Sequence, residues 1–288
     1  MKLAFSFDGG GWMFPFNYGV GAYIQDHFDT HSPNLTFAGI SCGSCVAAAL
    51  ATDIPMRPYH QDAVNVYDYA AYNPFRMSTA LERVLRKHSP EGDDGDAAWT
   101  RASGRLMVGV SRGVWAWGPF QQHTVDRFND REHGVRSVRA SAQLPYLAGF
   151  LGYKVNGERF WDGGLTSNFV PTDDFDGTVV QVSPWANSTD NWIASDIGFP
   201  HMWSYFPRNK SVLKRIYTLG YLKAAAFFQS TELGREFLRK KPLVQDPEEF
   251  KEDVADIREF LLRIGAFDAA EWYNPMGPRQ KAGNVQHQ

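Results

Sequence analysis

Residues 35–51 read LTFAGISCGSCVAAALA, and this stretch indicates the fold of the chain most directly. The apolar run over residues 35–40 predicts a buried strand. The small residues over 45–51 predict a helix that packs closely on a sheet. A strand that turns directly into such a helix is typical of α/β proteins.

The turn between these two elements reads GISCG over residues 39–43 and matches the pattern G-x-S-x-G. Between a strand and a helix, this pattern is typical of a nucleophilic serine on a sharp turn, where the helix N-terminus stabilises negative charge. Ser41 is therefore a candidate nucleophile, and Gly39 and Gly43 make room for the crowded backbone around it. An ordinary Gly/Ser turn is the simpler alternative, because the pattern also occurs by chance.

A second glycine-rich turn follows the apolar run at residues 3–7, where the sequence reads Asp8-Gly9-Gly10-Gly11. Consecutive glycines can direct backbone N–H groups at an oxyanion without interference from side chains, so Gly9, Gly10 and Gly11 are a candidate oxyanion hole. A flexible turn is the alternative. A dinucleotide-binding loop would need a glycine where Phe14 stands, and no Gly-Lys-Ser/Thr follows to make a phosphate-binding loop.

A third motif, Trp161-Asp162-Gly163-Gly164, follows a predicted hairpin over residues 153–161. Asn156-Gly157 lies between the two short apolar runs and favours a tight turn. Asp162 then stands at a strand end, and Gly163 and Gly164 let it approach another backbone closely. Asp162 is a candidate base; a turn aspartate that caps its own backbone is the alternative.

Strands and helices alternate along the chain, which predicts an α/β fold with a parallel sheet and right-handed crossovers. The predicted elements are strands over 3–7, 35–40, 105–111, 135–148 (with a turn) and 178–182, helices over 16–28, 45–51, 78–88, 212–230 and 246–264, and an acidic loop over 89–97. One α/β domain is expected over residues 1–235. A helical C-terminal appendage and tail, frayed over the last 16 residues, is expected over 236–288.

The composition excludes several classes of protein. Of 288 residues, 43% are hydrophobic and 21% charged, which supports a sizeable core and excludes a disordered chain. A net charge of −3 without a dominant basic face gives no indication of nucleic-acid binding. Two cysteines cannot form a disulfide framework, so a cytoplasmic location is expected. The N-terminal apolar stretch is too short for a signal peptide and no run has the length of a spanning helix, so membrane contact is expected to be peripheral.

Taken together and in order, the three motifs resemble the patatin-like phospholipase family, in the branch of adipose triglyceride lipase and adiponutrin. The matching segments are FSFDGGGW, GISCGSCVAAAL, ASGRLMVGVSR, RASAQLPYLAG, NGERFWDGGLTSNFVP, VVQVSPW and LGYLKAAAFF, and they cover about residues 3–230. The resemblance implies a three-layer α/β/α sandwich around a mainly parallel central sheet.

The resemblance also implies the chemistry. In this family the serine is the nucleophile, the aspartate of the D-G-G motif is the base and the glycine loop forms the oxyanion hole. These roles fall on Ser41, on Asp162, and on Gly9, Gly10 and Gly11. The family acts without metal or cofactor on acyl esters of glycerolipids, so a lipase or phospholipase A that takes glycerolipid or phospholipid substrates is expected. No protein partner is indicated.

The sequence departs from the family pattern in two places. Met13 and Phe14 stand where a basic residue and a glycine are usual, and Phe16-Asn17 replaces a common Tyr-His. A catalytically weak or inactive lipid-binding protein is therefore one alternative to a hydrolase. A lipid acyltransferase is another, because only the acceptor of the acyl group differs.

Two further alternatives explain less of the sequence. Cys42 and Cys45 form a C-x-x-C motif at a helix start, which is typical of redox proteins, but this leaves the other motifs unexplained. A conventional α/β-hydrolase triad needs a histidine after the acid, and only His201 and His287 follow Asp162. Buried free cysteines and a Ser–Asp dyad are the simpler interpretation.

The aromatic content of 15% is high and suggests a lipid-facing surface as well as core. The candidate side chains are Trp115, Trp117 and Phe120, then Trp192, Phe199, Trp203, Tyr205 and Phe206, with Arg208, Lys210, Lys214 and Arg215 close to the second group. We expect peripheral association with a membrane or lipid droplet.

Overall fold

The computed structural model describes residues 1–71, 73–146, 148–185, 191–239, 241–243 and 254–268. Its strands are β1 (Leu3–Phe7), β2 (Leu35–Ile40), β3 (Leu106–Arg112), β4 (Gln121–Val125), β5 (Tyr153–Val155), β6 (Glu158–Asp162), β7 (Thr178–Ser183), β8 (Trp192–Ala194), β9 (Ile197–Gly198) and β10 (Phe267–Asp268). Its helices are α1 (Phe14–His27), α2 (Cys42–Ala51), α3 (Met56–Asn65), α4 (Tyr67–Ala70), α5 (Met77–His88), α6 (Gly92–Ala102), α7 (Arg131–Ser141), α8 (Met202–Tyr205), α9 (Lys210–Ser230) and α10 (Val254–Arg263).

Eight of these strands form one sheet in the order β5-β6-β3-β2-β1-β7-β8, with β4 also paired to β3. The strands from β3 to β8 in this order run parallel, whereas β4, β5 and β6 run antiparallel to their neighbours. Helices flank this mostly parallel sheet, which confirms the predicted three-layer α/β/α sandwich. Because β1 and β2 are parallel neighbours, the turns that follow them meet at one edge of the sheet.

The central strands are covered on both faces, as parallel strands require. Every residue of β1 and β2 is buried. On one face, the ring of Phe5 stacks on Phe37 and meets the edge of Phe228 from α9. On the other face, Ala38 and Ile40 pack with Val170.

Two of the sequence predictions are wrong. Most of the predicted acidic loop belongs to α6, whose first turn contains Asp93 and Asp94; carboxylates are favourable there because they face the positive end of the helix dipole. The segment predicted as a strand from residue 135 is the helix α7. Asp130 caps this helix by accepting a hydrogen bond from the His133 N–H, at 2.6 Å.

At the C-terminal end, part of the predicted helix 246–264 is present as α10, with Ile257 and Leu261 buried. Residues 246–253 and the last 16 residues lie outside the described part of the chain. The division of the chain at residue 235 stays a prediction. No helix within the described ranges is both long and apolar enough to cross a membrane.

Candidate active site

Ser41 occupies the sharp turn between β2 and α2. Its backbone has a φ of 53° and a ψ of −127°, a strained conformation for a residue with a side chain. A Cβ atom on Gly39 would lie 2.4 Å from the backbone of Gly43, and one on Gly43 would lie 2.5 Å from the carbonyl oxygen of Asp8. Close backbone approach therefore requires both glycines. Because α2 begins at Cys42, three residues earlier than predicted, its N-terminus lies directly behind Ser41.

Asp162 ends β6, next to the carboxyl end of β3. Its Oδ2 accepts a hydrogen bond of 2.7 Å from the Ser41 Oγ, and its Oδ1 accepts one of 2.8 Å from the Gly164 N–H. A Cβ atom on Gly163 would lie 2.4 Å from the carbonyl oxygen of Gly109, so this glycine lets the chain pass close to β3. The structure thus brings Ser41 and Asp162 together across 121 residues of sequence.

Burial raises the pKa of Asp162 from 3.8 to about 6, while its hydrogen bonds with Ser41 and Gly164 act in the opposite direction. A carboxylate of this kind is a stronger base than an exposed one and is still mostly ionised at neutral pH.

The raised pKa predicts the acid limb of the activity profile. If Asp162 accepts the Ser41 proton, only its ionised form is active, so kcat/KM for a soluble ester should fall about tenfold per pH unit below about pH 6. Stopped assays between pH 4 and 9 would measure this. A profile that stays flat down to about pH 4, the ordinary aspartate range, would contradict the assignment.

The glycine loop lines the same cavity as the candidate nucleophile. The Gly9 backbone lowers the pKa of the Asp8 carboxyl group and the Gly10 backbone lowers the pKa of the Cys42 thiol, each against the larger raising effect of burial. Gly11 has a φ of 53°, and a Cβ atom there would lie 2.2 Å from a backbone oxygen of α8, so a side chain would not fit.

The residues that depart from the family pattern belong to the core. Met13, Phe14 and Phe16 are buried, and they provide no charge to the cavity. Asn17 is also buried, and its Nδ2 donates a hydrogen bond of 2.7 Å to the Asp8 carbonyl oxygen. Helix α1 is therefore tied to the glycine loop through Asn17.

Asp8 is a second carboxyl group in this cavity, and no sequence motif predicts a role for it. Its Oδ2 accepts a hydrogen bond of 2.8 Å from the Ser183 Oγ at the end of β7. Burial raises the pKa of Asp8 to about 7; the bonds from Ser183 and Gly9 oppose this shift, and the nearby Asp162 adds to it. An acidic residue directly before three glycines was the signal that could have drawn attention to Asp8.

Ser141 is a further residue of the site that no sequence motif predicts. It ends α7, and its Oγ accepts a hydrogen bond of 2.8 Å from the Ser41 N–H while donating one of 2.6 Å to the Gly109 carbonyl oxygen. The strained turn at Ser41 is thus fixed to β3 and α7. No local pattern signals this contact, because it joins positions 100 residues apart.

Ser141→Ala should weaken the turn without changing the reacting groups. The Ser41 N–H would lose its acceptor, so we expect a loss of about 1–3 kcal/mol of unfolding free energy and of about tenfold in kcat. Ser137→Ala is the matched control, since the Ser137 hydroxyl is also buried in α7 but bonds within the helix to the His133 carbonyl oxygen. Equal effects of both substitutions on kcat would contradict a specific role for Ser141.

A cavity of about 600 Å³ opens above Ser41 and Asp162, large enough for an acyl chain and its head group. Its apolar walls come from Leu144, Leu165, Phe169, Trp185, Trp192 and Tyr205. His201 also lines the cavity, with its ring 5.0 Å from that of Trp185. The Ser41 hydroxyl nevertheless donates its hydrogen bond to the carboxylate of Asp162.

Cys42 and Cys45 are both free and buried. Burial raises the pKa of Cys42 well above its ordinary value and that of Cys45 to about 11, so both remain thiols at neutral pH. Redox chemistry at the C-x-x-C motif is disfavoured, because the thiolate is the reactive form. Within the described residues, no group of His, Cys, Asp or Glu side chains is arranged to hold a metal ion.

Comparisons with known proteins find relatives of this chain. Patatin-like phospholipase domain-containing protein 2 of Rattus norvegicus is 25% identical over 193 residues, covering 66% of this chain and 39% of that protein. Patatin-like phospholipase domain-containing protein 4 of Homo sapiens is 28% identical over 161 residues, covering 54% of this chain and 60% of that protein. The crystal structure of VipD from Legionella pneumophila covers 80% of this chain and 67% of its own, with a TM-score of 0.45 and 13% identity.

The chain spans less than two fifths of the length of the protein 2 relatives, which have 24–25% identity to it. The family model described as patatin-like phospholipase matches residues 5–176, a range that contains the glycine loop, the Ser41 turn and Asp162. This match covers more than half of the chain, and the chain therefore belongs to the patatin-like phospholipase family.

Proposed function

We propose that the protein is a serine lipid acyl hydrolase that cleaves glycerolipid acyl esters with Ser41 as nucleophile and Asp162 as base. The hydrogen bond of 2.7 Å from the Ser41 Oγ to the Asp162 carboxylate, at the base of a cavity with both polar and apolar walls, carries this proposal. Family membership supports lipid acyl hydrolysis in general.

The proposed reaction has two halves. The Ser41 Oγ attacks the acyl carbonyl carbon while Asp162 accepts the hydroxyl proton. The N–H groups of the loop from Gly9 to Gly11, with the N-terminus of α2, stabilise the oxyanion. Asp162 then returns the proton to the leaving alcohol, which leaves an ester between the acyl group and Ser41.

Water completes the cycle in the second half. Asp162 takes a proton from the attacking water, the fatty acid leaves, and the proton returns to the Ser41 oxygen. If an alcohol takes the place of water, the same steps yield acyl transfer. The products therefore distinguish a hydrolase from a transferase.

We infer that the protein is a lipase of the adipose triglyceride lipase branch. We also infer that it is cytoplasmic and associates peripherally with a membrane or lipid droplet. The protein 2 relatives support the branch. We also infer that the acyl hydrolase domain extends to about residue 235, since α9 packs along α1 next to the glycine loop.

The test is incubation of the protein with a mixed lipid extract, followed by mass spectrometry of the products, with Ser41→Ala as the control. Free fatty acids that appear only with the unmodified protein are the expected result. New acyl esters without free fatty acid would identify a transferase, and an unchanged lipid profile would reject both reactions.

A further inference from the structure

Large apolar side chains are exposed on two neighbouring surface segments. The indoles of Trp115 and Trp117 are 47% and 65% exposed, and Phe150 is 63% exposed. Val114 and Leu151 are exposed beside them. We call these five residues the apolar rim. Monomeric proteins seldom leave a contiguous group of this kind without a function.

The apolar rim is an ordered surface. The backbones of Trp115 and Leu151 form an antiparallel bridge, and the Gly152 N–H donates a hydrogen bond of 3.0 Å to the Val114 carbonyl oxygen. The two indoles stack with their centroids 5.2 Å apart and their planes 7° from parallel. Because the shape is fixed in advance, docking would cost little conformational entropy.

The apolar rim lies at the same edge of the sheet as the active site, the edge formed by the carboxyl ends of the parallel strands. Its first segment leaves the carboxyl end of β3, the edge at which Ser41 follows β2. Its second segment follows Ser141, which holds the Ser41 turn, and includes Leu144 in the cavity wall. The apolar rim and the cavity therefore lie at the same edge of the sheet.

The charges around the apolar rim indicate what kind of surface it fits. Residues 113–120 (GVWAWGPF) and 142–152 (AQLPYLAGFLG) contain no charged side chain. Three cations stand at the roots of these segments. Arg112 forms an ion pair of 2.8 Å with Glu158, Arg159 donates a hydrogen bond of 2.7 Å to the Gly152 carbonyl oxygen, and Lys154 is exposed, so the roots keep a net positive charge. Apolar tips above a cationic base match a phospholipid layer, in which acyl chains lie beneath a plane of phosphates.

The second aromatic group that the sequence suggested fits this purpose less well. Phe199 and Trp203 are buried. Among its nearby cations, Lys210 pairs with Asp68 and the guanidinium of Arg208 lies 4.8 Å from the Trp203 ring centroid. These four side chains serve the fold, whereas Tyr205 and Phe206 of the same group are exposed.

We propose that the apolar rim inserts into a phospholipid surface and sets the cavity of Ser41 against it. The inference deepens the proposed function and rests on it for the nature of the substrate. Docking itself requires only the exposed side chains, so it can be tested separately from catalysis.

The experiment compares the double variant Trp117→Ser/Phe150→Ser with the unmodified protein and with Phe75→Ser. Phe75 is 62% exposed but lies just before α5, outside both segments, so it controls for loss of an exposed aromatic residue. Flotation with phosphatidylcholine vesicles measures docking. Two assays measure catalysis: one with a soluble short-chain ester, the other with a phospholipid ester in the same vesicles. Circular dichroism checks the fold.

We expect the double variant to lose about tenfold or more of its vesicle binding and to show a similar rise in KM for the vesicle ester, with kcat/KM for the soluble ester within twofold of the unmodified protein. Phe75→Ser should behave as the unmodified protein does. Equal flotation of the folded double variant, or no flotation of the unmodified protein, would overturn the proposal. So would self-association through the apolar rim without lipid binding. Flotation with no hydrolysis of either ester would support docking and reject the proposed function.

Discussion

Replacing Ser41 with alanine should reduce ester hydrolysis about a thousandfold or more, to the rate of the buffer control. The reason is chemical, since in the proposed reaction the Ser41 Oγ attacks the acyl carbon, and alanine offers no nucleophile. The substitution removes one oxygen, so the fold should be intact. Hydrolysis of a soluble ester and thermal unfolding would measure the two effects separately.

Asp162→Asn should have an effect of the same size, because the amide cannot accept the Ser41 proton. Burial disfavours the charge of Asp162, so the neutral amide should not destabilise the fold. In the proposed mechanism the two residues act as one unit, so the double variant should be no slower than either single variant. Additive losses would contradict a shared role.

His201→Ala is the control that separates a dyad from a triad. His201 lines the cavity, so its position alone does not exclude a role as base. Both oxygens of Asp162 are already engaged, one by the Ser41 Oγ and the other by the Gly164 N–H. We expect His201→Ala to retain at least about a tenth of the activity. A folded His201→Ala protein as inactive as Ser41→Ala would refute the dyad.

Much of this site could be predicted because its parts lie at strand ends. In a parallel sheet, the turns after β1 and β2 meet at one edge, so the glycine loop and the Ser41 turn are neighbours by topology. Asp162 required more than local pattern, since it arrives on an antiparallel strand whose partner is not apparent from the sequence. The resemblance of the D-G-G motif to that of the patatin-like family predicted that Asp162 acts with Ser41.

Two serines near the site could not be predicted from the sequence, because their contacts join positions far apart in the chain and their side chains are common. Ser141 and Ser183 are serines without a distinctive pattern around them, and their roles depend on the contacts with Ser41 and Asp8. Helix α7 contains Val135 and Val138, and valine favours strands, so residue preference predicts a strand at this position. The two valines are three residues apart, as on one face of a helix, and a capping aspartate precedes them. These two helical features outweigh the residue preference.

The packing of α1 against α9 leads to a second large effect, this time on stability. A Cβ atom on Gly220 would lie 2.1 Å from the Phe16 carbonyl oxygen, and one on Gly19 would lie 2.0 Å from the Tyr217 carbonyl oxygen. The backbones of both helices thus touch through their glycines. Either alanine would force the helices apart, since a backbone oxygen cannot rotate away as a side chain can.

Gly220→Ala should therefore lower the unfolding free energy by about 3 kcal/mol. In an unhindered helix the same substitution would raise stability by about 1 kcal/mol, so the sign of the change separates the steric effect from helix propensity. Ala226→Gly, at an exposed position of α9, calibrates that propensity in the same helix. Because Asn17 of α1 bonds to the Asp8 carbonyl oxygen, displacement of α1 should also reduce activity in the protein that remains folded. Urea unfolding measures the change in stability, and a soluble-ester assay measures the change in activity. A Gly220→Ala protein more stable than the original would show that the two helix backbones do not touch at this glycine.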